Sequence, residues 1–90
     1  MEFSMKKITM FIIGSCPYCK GALRMMDDLF AENPEYLSLE IEKIDETVHP
    51  DIAKKYDYYF VPTFFVGDKK LHEGVASTKK IRRVFDAALE

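Results

Sequence analysis

An α/β domain with one four-stranded mixed sheet flanked by helices, in the order βαβαββα, is the fold this sequence predicts. Three observations point to it. An apolar run of strand length at residues 8–13 leads straight into an amphipathic helix pattern. Two short strand-like stretches near residue 67 are separated by the turn signal Gly67-Asp68. The chain then closes on a second helix pattern with a strongly apolar stripe.

The elements follow in order. Ile8 to Ile13 is a continuous apolar run rich in β-branched residues, as expected of a strand covered on both faces. Gly14 and Ser15 end it. A helix is predicted from Pro17 to about Glu32, with Ala22, Leu23, Met26, Leu29 and Phe30 at helical spacing. Pro17 suits the first helical position, and Asn33-Pro34 stops the helix. Leu37, Leu39 and Ile41 alternate with Ser38, Glu40 and Glu42, which reads as an edge strand with one wet face. Strand, helix and strand make a βαβ unit, parallel and with a right-handed crossover.

His49-Pro50-Asp51 opens a short helical stretch to about Asp57, with Ile52, Ala53 and Tyr56 on one side. A third strand runs from about Thr63 to Val66. Gly67-Asp68 with Lys69-Lys70 forms a tight turn, and Leu71 to Glu73 returns as a fourth strand, which Gly74 ends. Ser77 or Thr78 caps a last helix in which Ile81, Val84, Phe85, Ala88 and Leu89 form the apolar stripe.

Ninety residues make one domain, 1–90, able to fold without staples. The chain is 48% hydrophobic and 31% charged, a globular balance, and its net charge of −2 offers no positive field for nucleic acid. The stretch "MKKITMFIIGSC" mimics a secretory signal. Its apolar run is only six residues and is read as a strand, so neither export nor a membrane span is expected, and the setting is cytoplasmic.

Cys16 and Cys19 are the only cysteines. A static disulfide is not expected in a cytosol that keeps thiols reduced. Cys16 follows a buried strand and precedes Pro17, so its sulfur sits at a helix N-terminus, where unpaired N–H groups and the helix dipole favour a thiolate. Cys19 is one turn along on the same side, close enough to attack a mixed disulfide. The pattern assigns attack to Cys16 and resolution to Cys19. A zinc site is disfavoured, because His49 and His72 fit no ligand spacing with the pair. Two inert buried thiols are a further alternative.

Pro62 heads an otherwise strong strand in "YYFVPTFFVG". A trans proline that starts the strand and a cis Val61-Pro62 bond that turns the Val61 backbone toward a substrate both satisfy the pattern. Tyr56, Tyr58, Tyr59, Phe60, Phe64 and Phe65 are expected in the core and on the sheet faces. Tyr18, between the cysteines, is expected to be partly exposed and to touch substrate. Lys79, Lys80, Arg82 and Arg83 crowd the first turns of the last helix. They form either a solvated basic face or, through the N–H groups of Ser77 and Thr78 aided by Lys79, a site for a carboxylate.

With "CPYC" after the first strand and "VPTFFV" about 45 residues later, the chain resembles the thioredoxin superfamily, most closely the glutaredoxins. The resemblance covers almost the whole chain and implies a thioredoxin fold acting as a thiol–disulfide oxidoreductase. It implies Cys16 as nucleophile, Cys19 as resolving thiol, Val61 as a backbone contact and a cis Pro62 beside the site; together with Pro17, Tyr18, Gly74, Ser77, Thr78 and Lys79 these two are the expected substrate-binding positions. It also implies a monomer with no tightly bound cofactor, acting on disulfide-containing proteins with glutathione as co-substrate. A flavin-containing thioredoxin-type reductase is the alternative electron source, and an iron–sulfur cluster carrier the alternative from another class. Three positions depart from the glutaredoxin pattern. Ile13-Gly14-Ser15 stand where a lysine usually precedes the first cysteine. Glu73-Gly74 replace a Gly-Gly pair, and Ala76-Ser77-Thr78 replace a small polar residue with aspartate.

Overall fold

The computed structural model describes residues 6–90; Met5, the first residue of the signal-like stretch, lies outside them. The chain runs β1 (Ile8–Ile12), α1 (Pro17–Glu32), β2 (Ile41–Asp45), α2 (Pro50–Ala53), β3 (Thr63–Val66), β4 (Lys69–Glu73) and α3 (Thr78–Leu89). The sheet order is β2-β1-β3-β4. β1 pairs parallel with β2 and antiparallel with β3, and β4 pairs antiparallel with β3. The predicted βαβαββα order and mixed sheet are therefore present.

The continuous apolar run of β1 has a structural cause: the strand is interior and covered on both faces. Ile8 and Met10 pack with Phe64 and Val66 beneath α1 (Ala22, Met26, Leu29) and α3 (Ile81, Val84, Phe85, Ala88). Phe11 points to the other face, into a smaller cluster with Ile44 and Phe65 that Ile52, Ala53 and Tyr56 cover. That cluster is largely aromatic, with Phe11 stacked on Tyr58 at 4.7 Å between ring centroids. An ion pair from Arg82 to Glu32 at 2.8 Å ties α3 to α1.

The structure corrects four expectations. The alternating stretch from Leu37 is not the second strand. Pro34–Ser38 forms a 3-10 turn, because Pro34 occupies its first position and the Asn33 side chain accepts the Glu35 N–H at 3.2 Å. Tyr36 is buried and Leu37 exposed, so the alternation there carried no sheet face. β2 begins at Ile41, in register with Ile8, and lies at the sheet edge as expected. The helix at Pro50 ends at Ala53 rather than near Asp57. Lys69 and Lys70 belong to β4, paired with Val66 and Phe65. The turn is the two residues Gly67-Asp68, with Gly67 at φ 62°. Finally, Tyr59 and Phe60 are exposed at 83% and 68%, not part of the core.

Candidate functional site

Register brings one end of the sheet together. Ile12, the last residue of β1, pairs with Asp45 at the end of β2; Phe11 pairs with Thr63 at the start of β3, and Thr63 with Glu73 at the end of β4. The segments that follow or precede these residues, 13–16, 46, 61–62 and 74, therefore share that end. It is the carboxyl end of the two parallel strands, where open α/β sheets place their sites.

Cys16 is the N-cap of α1, with an extended backbone (φ −76°, ψ 123°), and Pro17 follows at the first helical position. A tight turn aims it there: the Cys16 N–H donates to the Ile13 carbonyl at 2.9 Å. No acidic residue occupies the first turn of α1. The Cys16 side chain makes no capping hydrogen bond, but the backbone N–H groups of the first helical turn, that of Cys19 foremost and then that of Tyr18, hold its pKa below the ordinary thiol value. The sulfur is partly exposed, and both cysteines are free thiols.

Cys19 has the opposite environment. It is 1% exposed, and burial pushes its thiol up to about 11. The Ile13 N–H, 3.5 Å from its sulfur, opposes that rise, while Cys16 and the Glu46 carboxylate add to it. Two thiols one turn apart thus differ in both access and basicity. Tyr18 is 61% exposed beside them, as expected.

The Val61-Pro62 bond is cis. Pro62 is buried, and its carbonyl accepts the Gly74 N–H at 2.9 Å, so the predicted positions Pro62 and Gly74 lie together. Gly74 sits at φ 92°, which favours glycine, and His72 Nε2 lies 2.9 Å from its carbonyl oxygen. Ser77 caps α3, its hydroxyl accepting the Lys80 N–H at 3.2 Å. Thr78 is the first helical residue, and Lys79 and Lys80 are exposed. Arg82 is turned instead to Glu32.

Three carboxylates at this end did not emerge from the sequence. Asp45 Oδ2 accepts the Gly14 N–H at 2.9 Å, and Oδ1 accepts the Thr47 hydroxyl and N–H; the hydroxyl bond foremost keeps the Asp45 carboxyl below its ordinary value. A Cβ on Gly14 would lie 3.0 Å from that oxygen, so the backbone approach favours glycine. Glu46 accepts the Tyr58 hydroxyl at 2.7 Å, and burial, followed by this bond, raises the Tyr58 pKa. Glu73 accepts two backbone N–H groups from the segment before Pro62. The Asp-x-Thr spacing at Asp45 was a readable signal for a side-chain turn. Glu46 and Glu73 gave none, because their partners are distant in sequence. Among the described residues, no group of three or more His, Cys, Asp or Glu is placed to hold a metal ion, and no helix is long and apolar enough to cross a membrane.

Comparison with known proteins agrees with this geometry. A family model described as a thioredoxin domain matches residues 6–86. Thioredoxin of Methanocaldococcus jannaschii is 32% identical over 60 residues, covering 67% of this chain and 68% of its own. Glutaredoxin-1 of Gallus gallus is 34% identical over 70 residues, covering 70% of this chain and 61% of its own. Among solved structures, a thioredoxin-like protein from Clostridium perfringens superposes with TM-score 0.68 at 24% identity, over 97% of this chain and 73% of that one. Fasciola hepatica thioredoxin superposes with TM-score 0.69 at 21% identity, over 96% and 83%. The chain belongs to the thioredoxin domain family of the thioredoxin superfamily.

Proposed function

We propose that the protein is a dithiol thiol–disulfide oxidoreductase with Cys16 as nucleophile and Cys19 as resolving thiol. One observation carries the reading: the partly exposed Cys16 stands at the helix N-cap, where the N–H groups of the first turn favour its thiolate, while Cys19 is buried and held protonated. The Cys16 thiolate attacks one sulfur of a substrate disulfide. The S–S bond breaks, and the departing thiolate takes up a proton. Cys19 then gives up its proton and attacks the Cys16 sulfur, which releases the second substrate thiol. Two electrons have passed to the substrate, and Cys16–Cys19 is left as a disulfide for a reductant to reopen.

Disulfide-containing proteins are the substrates in this reading, in a cytoplasmic setting. Val61, Pro62 and Gly74, at the same end of the sheet, and Pro17 and Tyr18, next to Cys16 in the chain, take the substrate-contacting roles in this reading. Glutathione is the reductant that the CPYC motif suggests, with a carboxylate held by the N–H groups of Ser77 and Thr78 and by Lys79. A flavin-dependent thioredoxin-type reductase is the second reading. The observation that favours it is local. Where glutaredoxins usually carry a lysine for a glutathione carboxylate, this chain has Ile13, Gly14 and Ser15, and the Gly14 N–H is already taken by the Asp45 carboxylate.

The test is turnover of a disulfide substrate with glutathione plus glutathione reductase against NADPH plus thioredoxin reductase, each with wild type and Cys16→Ser. Turnover in at least one system, abolished in Cys16→Ser, is expected. Turnover that persists in Cys16→Ser overturns the mechanism, and turnover with thioredoxin reductase alone selects the second reading.

A further inference from the structure

The segment 57–60 between α2 and Pro62 has no strand partner, so its backbone groups depend on other acceptors and donors. One ion pair supplies them. Glu73 Oε2 accepts the N–H of Tyr59 at 2.5 Å and that of Phe60 at 2.9 Å. Glu73 Oε1 pairs with Lys70 Nζ at 2.7 Å, and the same ammonium donates to the Asp57 carbonyl at 3.1 Å. The Thr63 hydroxyl donates to the Phe60 carbonyl. Two adjacent N–H groups and a carbonyl of the segment are thus fastened to β4 by Glu73 and Lys70.

Tyr58 anchors this segment in the aromatic cluster, stacked on Phe11, but Tyr59 and Phe60 beyond it have little apolar packing to hold them. Tyr59 and Phe60 are 83% and 68% exposed, as is Val75 at 61% on the far side of Gly74. The Phe60 Cβ lies 3.9 Å from where a Cβ on Gly74 would sit, so Phe60 stands beside the Pro62–Gly74 contact. Large exposed aromatics on a loop held by charge-assisted bonds form a pre-organised apolar surface at the end of the sheet that carries Cys16. Glu73 is also the residue that stands where the glutaredoxin pattern has the first glycine of its pair. A glycine has no side chain with which to make these bonds.

We infer that Glu73 is a positioning residue for protein disulfide substrates: by fixing residues 57–60 it holds Tyr59, Phe60 and the Val61 backbone in the arrangement that receives a polypeptide flanking the disulfide. This rests on the proposed oxidoreductase reading. Loss of the carboxylate leaves the segment to be ordered at each encounter, which weakens binding of a polypeptide and spares the exchange step. A disulfide too small to span from Cys16 to Tyr59 does not register the change.

The experiment compares wild type, Glu73→Gln and Glu73→Ala with dithiothreitol as reductant, on insulin and on bis(2-hydroxyethyl) disulfide. For insulin, Glu73→Ala is expected to raise KM about tenfold with kcat within about twofold, the scale of ordering the Tyr59 and Phe60 side chains anew at each encounter. Glu73→Gln, which keeps one acceptor oxygen but places an amide against Lys70, should fall between. Turnover of the small disulfide and the pH midpoint of Cys16 alkylation should hold in both variants. Amide hydrogen exchange supplies a measurement that does not depend on Glu73→Ala folding: Tyr59 and Phe60 should be protected in wild type and lose protection in Glu73→Gln. An unchanged insulin KM, an equal loss on both disulfides, or unprotected Tyr59 and Phe60 amides in wild type overturns the role of Glu73. A wild type inert toward both disulfides overturns the oxidoreductase reading itself.

Discussion

Cys16 and Cys19 should differ sharply in reactivity when each is the only thiol present. The perturbation is a pair of variants, Cys19→Ser and Cys16→Ser. The Cys19 thiol titrates at about 11, while Cys16 lies below the ordinary 9.0. At pH 7 a thiol of pKa 9.0 is ionised in about one molecule in 100, and one of pKa 11 in about one in 10,000. Cys16 therefore holds a thiolate excess of more than ~100-fold. Lower basicity reduces nucleophilicity, with a Brønsted coefficient of about 0.45, which returns roughly 8-fold to Cys19. The population term wins, leaving Cys16 ahead by at least ~10-fold before access is considered. Access acts in the same direction, since Cys19 is 1% exposed. Iodoacetamide alkylation of each variant, followed by mass spectrometry from pH 5 to 10, measures the ratio. The backbone N–H of residue 19, the main support of the Cys16 thiolate, survives in Cys19→Ser. Equal rates, or faster alkylation of Cys19, would refute the reasoning from helix N–H groups and burial.

Two further outcomes test other parts of the molecule. Phe85 is fully buried, with its ring 5.5 Å from Phe30 and 5.1 Å from Tyr36; Phe85→Ala should lose about 3–5 kcal/mol in urea denaturation, and a loss under about 1 kcal/mol would remove it from the core. The Glu73 carboxyl is held down to about 2 from an ordinary 4.5, first by Lys70 and then by the Tyr59 and Phe60 N–H groups. Its contribution to stability is therefore present above pH 4.5 and lost as pH falls toward 2. The Tyr59 and Phe60 amide resonances should shift together with a midpoint near that lower value, and a midpoint near 4.5 would contradict the bonds.

Much of the fold was legible locally. The apolar run of β1, the proline that starts α1, the Gly67-Asp68 turn and the stripe of α3 each depend on neighbours close in sequence. So does the Cys16 position, because a helix start is marked by the residues at that start. The second strand was misplaced because period-two alternation at Leu37–Ile41 was overridden by Asn33 and Pro34. The true β2 is marked only by its register against β1.

By itself, then, the sequence determined that two cysteines stand one turn apart at a strand-to-helix junction, within an α/β order that can expose the first of them. Only the tertiary structure decided how far the two thiols differ, since Cys19 lies on the buried face of α1 with Ala22, Met26 and Leu29. Tertiary structure also decided the cis Val61-Pro62 bond and the carboxylate on the Gly14 N–H. It decided that Tyr59 and Phe60 face solvent on a segment fastened by Glu73. The partners involved lie 13 to 31 residues apart in the chain, and only strand pairing brings them within hydrogen-bond distance.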